Sequence, residues 1–275
     1  MNIMDDNRSA VARSQEVFHP EGHDYTVGSP HLRHSELREK LNRTITAVVT
    51  ESVSRRGACN VLEVGAGHGS FTDIVLAAGG TATITEMSTH SFAFLQRKFH
   101  GDARVRVVYD SDGGVVFRDK ATYDVVLLIS VIHHIPDYLS TVTRLCDEVL
   151  RPGGSLVTFQ DPLWYPRQSR IASIVSWSSY FAWRITQGEL RRGLKTRWRR
   201  LRRTFDDSEP SDLVEYHVVR DGVDEQLLVD CLAPRFESVS VDRYFSTQLP
   251  LLQRLGGKRF PANNFGITAL GRRSE

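Results

Sequence analysis

Cysteine is scarce and scattered: Cys59, Cys146 and Cys231 are the only three in 275 residues. They are far apart, odd in number and set in apolar runs, so neither a disulfide framework nor a CxxC metal site can be drawn from them. They read as reduced core residues of a cytoplasmic protein, and no metal is expected. Long hydrophobic runs are also missing. No charge-free window of about 18 apolar residues occurs, and the first thirty residues hold no signal-type stretch, which argues against spanning a membrane and against secretion. There is no internal repeat. What is present, 40% hydrophobic and 25% charged residues, suits one large α/β domain with an elaboration.

The net charge of +2 conceals an asymmetry. Residues 184–203 contain nine Arg or Lys against the single acid Glu189, a local +8, so the rest of the chain carries −6. All four tryptophans, Trp164, Trp177, Trp183 and Trp198, fall in or beside the same stretch.

Residues 1–28 are polar and aperiodic and read as a mobile arm. Ser29-Pro30 opens a helix in which Leu37, Leu41, Ile45 and Val48 recur at spacings of three and four, ending near Gly57. Strands are expected at 59–64, 81–86, 105–109, 124–129 and 155–159, with helices at about 69–78, 88–99 and 137–150 between them. Alternation of this kind requires parallel pairing and right-handed crossovers. After 160 it stops until a helix at 223–232 and two closing strands, 238–244 and 265–270. The expected fold is a doubly wound α/β, Rossmann-like seven-stranded sheet. It is mostly parallel with an antiparallel terminal strand, spans 29–275, and carries a helical lid insertion at about 162–221.

The first strand runs into Glu63-Val64-Gly65-Ala66-Gly67-His68-Gly69. Glycine there permits a tight turn and close approach of a ligand to the backbone. A dinucleotide fingerprint, GxGxxG, would need glycine at 70, where Ser70 stands, so the spacing disfavours NAD or FAD. The segment resembles motif I of the class I S-adenosylmethionine (SAM) dependent methyltransferases, E/D-x-G-x-G-x-G. The likeness extends over about residues 59–161. It implies that Glu63, Gly65, Ala66, Gly67 and Gly69 shape the cofactor turn around the amino-acid end of SAM. It implies that Glu86, beside Met87 at the end of the second strand, accepts from the ribose hydroxyls, and that Asp110 and Ser111 contact adenine. It places Ser130 on the ligand side of the fourth strand. The cofactor implied is SAM and its product S-adenosylhomocysteine (SAH).

His133-His134-Ile135-Pro136-Asp137 follows the fourth strand and Gln160-Asp161 the fifth. The histidine pair resembles the HHxxD variant of the type 11 group, similar to ubiquinone and menaquinone biosynthesis and natural-product methyltransferases. The expectation is that His133 or His134 takes the acceptor proton and that Asp161 orients the imidazole or the acceptor. Gln160 is a rival for that role, and Asp137 reads equally as a helix cap. The implied reaction is methyl transfer to a hydroxyl, less readily N or C, of a small, largely apolar metabolite such as a phenol, quinone, glycolipid or natural product. A SAM-binding regulator without transferase activity is the competing reading.

Aromatic residues from Trp164 to Trp183 suit the roof of an apolar acceptor pocket or the packing of a lid on the sheet. Leu190, Leu194, Trp198, Leu201 and Phe205, with Arg and Lys between them, make a basic amphipathic helix. Such a helix suits peripheral contact with an anionic membrane through 184–203, or a lid helix with solvated arginines. Nucleic acid is disfavoured, because the residues after the fourth strand are Ser130-Val131-Ile132-His133 and not a base-methylating motif. The oligomeric state is not legible.

Overall fold

A computed structural model describes residues 28–186, 221–256 and 259–274, and the structural statements below concern those residues. The arm at 1–27 and residues 187–220, with most of the basic segment and part of the insertion, lie outside them. So do the side chains of Trp177, Tyr180, Phe181 and Trp183.

Seven strands form one sheet: β1 Asn60–Val64, β2 Thr81–Glu86, β3 Val105–Tyr109, β4 Tyr123–Ile129, β5 Leu150–Pro162, β6 Phe236–Tyr244 and β7 Asn264–Arg272. Their order across the sheet is β3-β2-β1-β4-β5-β7-β6. The first five pair in parallel, while β7 lies between β5 and β6 and runs antiparallel to both. Every residue of β4 is buried. Val125, Leu127 and Ile129 enter one core cluster and Val126 and Leu128 the other. A strand covered on both faces in this way has an unbroken apolar sequence and not an alternating one. The chain leaves β1 for β2 on one side and reaches β4 on the other, so a crevice opens beyond the carboxyl ends of β1 and β4.

The helix expected from Pro30 to Gly57 is two helices, α1 Pro30–Arg33 and α2 Ser35–Arg56. Between them His34 is extended, and its Nε2 lies 2.7 Å from the Thr247 carbonyl oxygen. That tie turns α1 over the carboxyl edge of the sheet, while Leu37, Leu41, Ile45 and Val49 of α2 pack into the core. The helix expected at 137–150 is ordinary only over Tyr138–Arg144 and widens to a π turn at Leu145–Val149. Asp137 caps it, accepting from the Ser140 amide.

The two ends of the insertion are pinned to each other. Leu163 bridges Val223, the Val223 amide donates to the Pro162 carbonyl at 2.9 Å, and the Tyr165 amide donates to that of Asp221 at 2.6 Å. Arg167 pairs with Asp224 across the same seam. Among the described residues, no helix is long and apolar enough to cross a membrane.

Candidate active site

The turn after β1 is held from several sides. Gly65, Gly67 and Gly69 have φ of 67°, 57° and 68°, the left-handed region that favours glycine. A Cβ on Gly65 would come within 2.9 Å of Val131 Cγ2, and one on Gly69 within 2.7 Å of Phe99 Cε2. At these two positions glycine suits the conformation, as the tight turn expected from the sequence requires, and the protein's own packing adds a second reason. Thr72 Oγ1 donates to Glu63 Oε2 at 2.6 Å. Lys98 Nζ donates to the carbonyls of His68 and Gly69 at 3.0 and 2.9 Å. Burial pushes the Glu63 carboxyl up to about 7, against the opposing pull of its Thr72 bond.

Glu86 ends β2 and binds the same turn. Its Oε2 accepts from the Gly67 amide at 2.9 Å, and its Oε1 from the amides of Met87 and Ser88, each at 2.9 Å. Asp110 follows β3 in the same manner. Its Oδ1 accepts from the amides of Gly114 and Val115 at 3.1 and 3.2 Å, which fixes the short helix Val115–Arg118. Burial raises the Asp110 carboxyl.

Just after β4 and near the end of β5 the backbone is strained. Ser130 and Gln160, neither of them glycine, have φ of 58° and 66°, and the Ser130 amide donates to the Phe159 carbonyl at 2.7 Å. Non-glycine residues in this region cluster at functional sites, where the surrounding structure holds them. At Gln160 the kink sends the two rival side chains apart. Gln160 Nε2 donates to Ser246 Oγ at 2.7 Å, whereas Asp161 turns to His133. Asp161 is fully buried, and its Oδ1 lies 2.8 Å from His133 Nδ1 and 3.2 Å from the His133 amide. Burial raises the Asp161 carboxyl, and the His133 bond opposes that rise. The His133 and His134 rings stand 4.0 Å apart, centroid to centroid.

These elements enclose a cavity of about 270 Å³ beyond β1 and β4. Of the residues singled out in the sequence, Glu63, Gly65, Ala66, Gly67, Glu86, Met87, Asp110, Ser130 and His134 line it. Gly69, Ser111, His133 and Asp161 do not: Gly69 packs on Phe99 and Leu95, Ser111 is exposed, and the His133–Asp161 pair lies behind the wall that His134 faces. Two parts of the wall carried no signal in the sequence. One is Ser29, His31 and Leu32, brought there by the break at His34, and the other is Asp112-Gly113 beside Asp110.

The residues fit a sulfonium nucleoside. A glycine turn with fixed amides, a buried carboxylate at the end of β2 and another after β3 stand along one apolar-walled cavity, which suits an amino-acid end, a sugar and a base in that order.

Residues 62–156 match the family described as methyltransferase domain. Over 129 residues, 44% of this chain, it is 29% identical to a hybrid PKS-NRPS synthetase of Petromyces alliaceus, but it spans only 3% of that protein's length. Over 108 residues, 38% of this chain and 46% of the relative, it is 25% identical to a ubiquinone biosynthesis O-methyltransferase of Leptothrix cholodnii. Among solved structures, the CurJ carbon methyltransferase shares its fold, with a TM-score of 0.58 at 17% identity over 98% of this chain and 68% of that one. The motif order and the seven-stranded sheet already described agree with this methyltransferase-domain match, which covers residues 62–156 of the 275.

Proposed function

We propose that the chain binds SAM in the cavity beyond β1 and β4 and methylates a hydroxyl of a small, largely apolar acceptor, with His134 removing the acceptor proton. Two fold neighbours solved in complex with SAH, the N-methyltransferase NodS and the plantazolicin methyltransferase BpumL, support the cofactor. The observation that carries the reading is the wall where β4 and β5 end. There His134 lines the cavity, backed by the buried His133–Asp161 pair.

SAM, when bound, supplies a methyl carbon made electrophilic by its sulfonium. The protein's share is to bind, orient and exclude water. Glu63, Glu86 and Asp110 are fixed by backbone and side-chain bonds before any ligand arrives, so the nucleoside meets a preorganised surface. Asp161 takes both the amide and Nδ1 of His133, which locks the turn Ile132–His134 and with it the direction of the neighbouring imidazole. His133 and Asp161 thus act as positioning residues. The His134 imidazole accepts the hydroxyl proton as the acceptor oxygen uses its electron pair to bond the methyl carbon. With SAM held there, its carbon–sulfur bond would break towards sulfur, so that SAH would leave and His134 would keep the proton. Val131, Ile135 and Pro136 give this end an apolar lining suited to a lipophilic or aromatic acceptor.

A second reading has one specific support: the curated relatives include polyketide-type synthetases, and a fold neighbour is a carbon methyltransferase. The same imidazole could take a proton from carbon acidified by an adjacent carbonyl. Incubation with SAM labelled at the methyl carbon, offered phenols and quinols in one arm and a β-keto thioester in the other, separates them. The carbon shift of the product reads O-methyl or C-methyl directly. Label incorporated into neither acceptor class, with SAH bound normally, would favour a SAM-binding protein without transferase activity.

A further inference from the structure

His31 stands in α1, ahead of the stretch matched by the family, and nothing above gives it a role. It lines the cavity, is 4% exposed, and stacks on Phe71 with ring centroids 5.7 Å apart and planes inclined at 26°. Among the described residues its Nδ1 has no hydrogen-bond partner. A buried polar atom left without a partner costs about 1–3 kcal/mol, and the ring that carries it forms part of the cavity wall. Its placement is firm: Arg33 Nη1 donates to the Gln248 carbonyl at 3.3 Å, His34 meets that of Thr247, and Leu32 packs against the core. Burial, with a smaller contribution from His133, lowers the His31 ring to about 3, so it is a neutral hydrogen-bonding group and not a cation at physiological pH.

Phe71 is the second residue of the helix that follows the glycine turn, and it lines the cavity together with Ser70 and Gly65–His68. The ligand group that this turn would wrap is the amino-acid end of the nucleoside. We propose that His31 contacts the ligand there, donating a hydrogen bond to the carboxylate of the methionyl group, so that α1 is a wall of the cofactor site rather than a leader to the domain. This assignment rests on the methyltransferase reading above.

Calorimetry on the full chain with two probes tests it: SAH, and 5′-deoxy-5′-methylthioadenosine, which keeps adenine, ribose and thioether but lacks the aminocarboxylate. His31→Phe and His31→Leu should weaken SAH roughly tenfold, the size of one hydrogen bond to a charged group, and leave methylthioadenosine within about twofold. His31→Gln, which keeps a donor, should recover part of the loss. The readout is the ratio of the two affinities, so a variant that is less stable but still folds remains informative. An equal loss for both probes means a packing role and overturns the proposal, as does an unchanged SAH affinity. If the wild type binds neither compound, the methyltransferase reading itself falls and takes this assignment with it. Wild-type SAH binding with an unaltered ratio in the variants removes His31 alone.

Discussion

The two ends of the cavity are built by different means. At the nucleoside end, carboxylates are held by amides close in sequence: Glu86 by Met87 and Ser88, and Asp110 by Gly114 and Val115. At the transfer end, the contacts that set geometry join distant parts of the chain, His133 to Asp161 and Gln160 to Tyr244 and Ser246, with strained backbone at Ser130 and Gln160. The first construction, proposed to serve binding, stays within the neighbouring turns after β1, β2 and β3, two of which the Gly67–Glu86 bond joins. The second, proposed to serve chemistry, exists only when β4, β5 and β6 are all in place. Binding and turnover should therefore be separable by mutation.

The largest separation is expected at His134. His134→Ala should lower kcat by about 10²–10⁴-fold, the usual range for a general base, with SAH affinity by calorimetry unchanged within about twofold. Equal loss of both would erase the distinction between the two ends. At the opposite end, Glu86→Ala should weaken SAH on the order of 100-fold, because an anionic acceptor for two hydroxyls is removed. Glu86→Gln should fall between it and the wild type. A smaller effect belongs to positioning: Asp161→Asn is expected to cost roughly 10-fold in kcat, with KM for SAM little moved. A rise in KM instead would place that pair in binding.

The smallest effect concerns Glu63 and pH. Burial holds its carboxyl at about 7 against an ordinary 4.5, so between those values the folded chain keeps a proton that the unfolded chain has released. The stability it contributes is complete below about 4.5 and is lost as pH rises through 7, on the order of 3 kcal/mol. Thermal melts of the wild type should therefore decline from about pH 5 to about pH 7.5 more steeply than those of Glu63→Gln. Parallel curves would show that Glu63 ionises normally.

The same contrast explains what the sequence made legible. β2 and β3 were expected at the residues where they stand, because each is a short run rich in β-branched residues between turn residues. Glu86 and Asp110 were legible because their positions follow from strand ends. Whether Asp161 or Gln160 faces the histidines was not, since a single residue at positive φ decides it and no residue type announces that conformation. The split at His34 was hidden as well: the helical period runs through it, and what breaks it is a carbonyl 213 residues away. His31 reached the cavity only through that break. The packing against Gly65 and Gly69 was hidden too, because Val131 and Phe99, which crowd them, arrive from other turns.

The seam at Leu163 and Val223 carries a consequence for how such a molecule can diversify. Because the excursion departs from and returns to one point on the sheet, its length is nearly decoupled from the frame beneath it. Doubling a flexible closed segment costs only about 0.6 kcal/mol in closure entropy. The frame can therefore take a stretch of another length at this one junction without rebuilding a core, and the cavity beyond β1 and β4, which no described residue of the excursion lines, would be left in place.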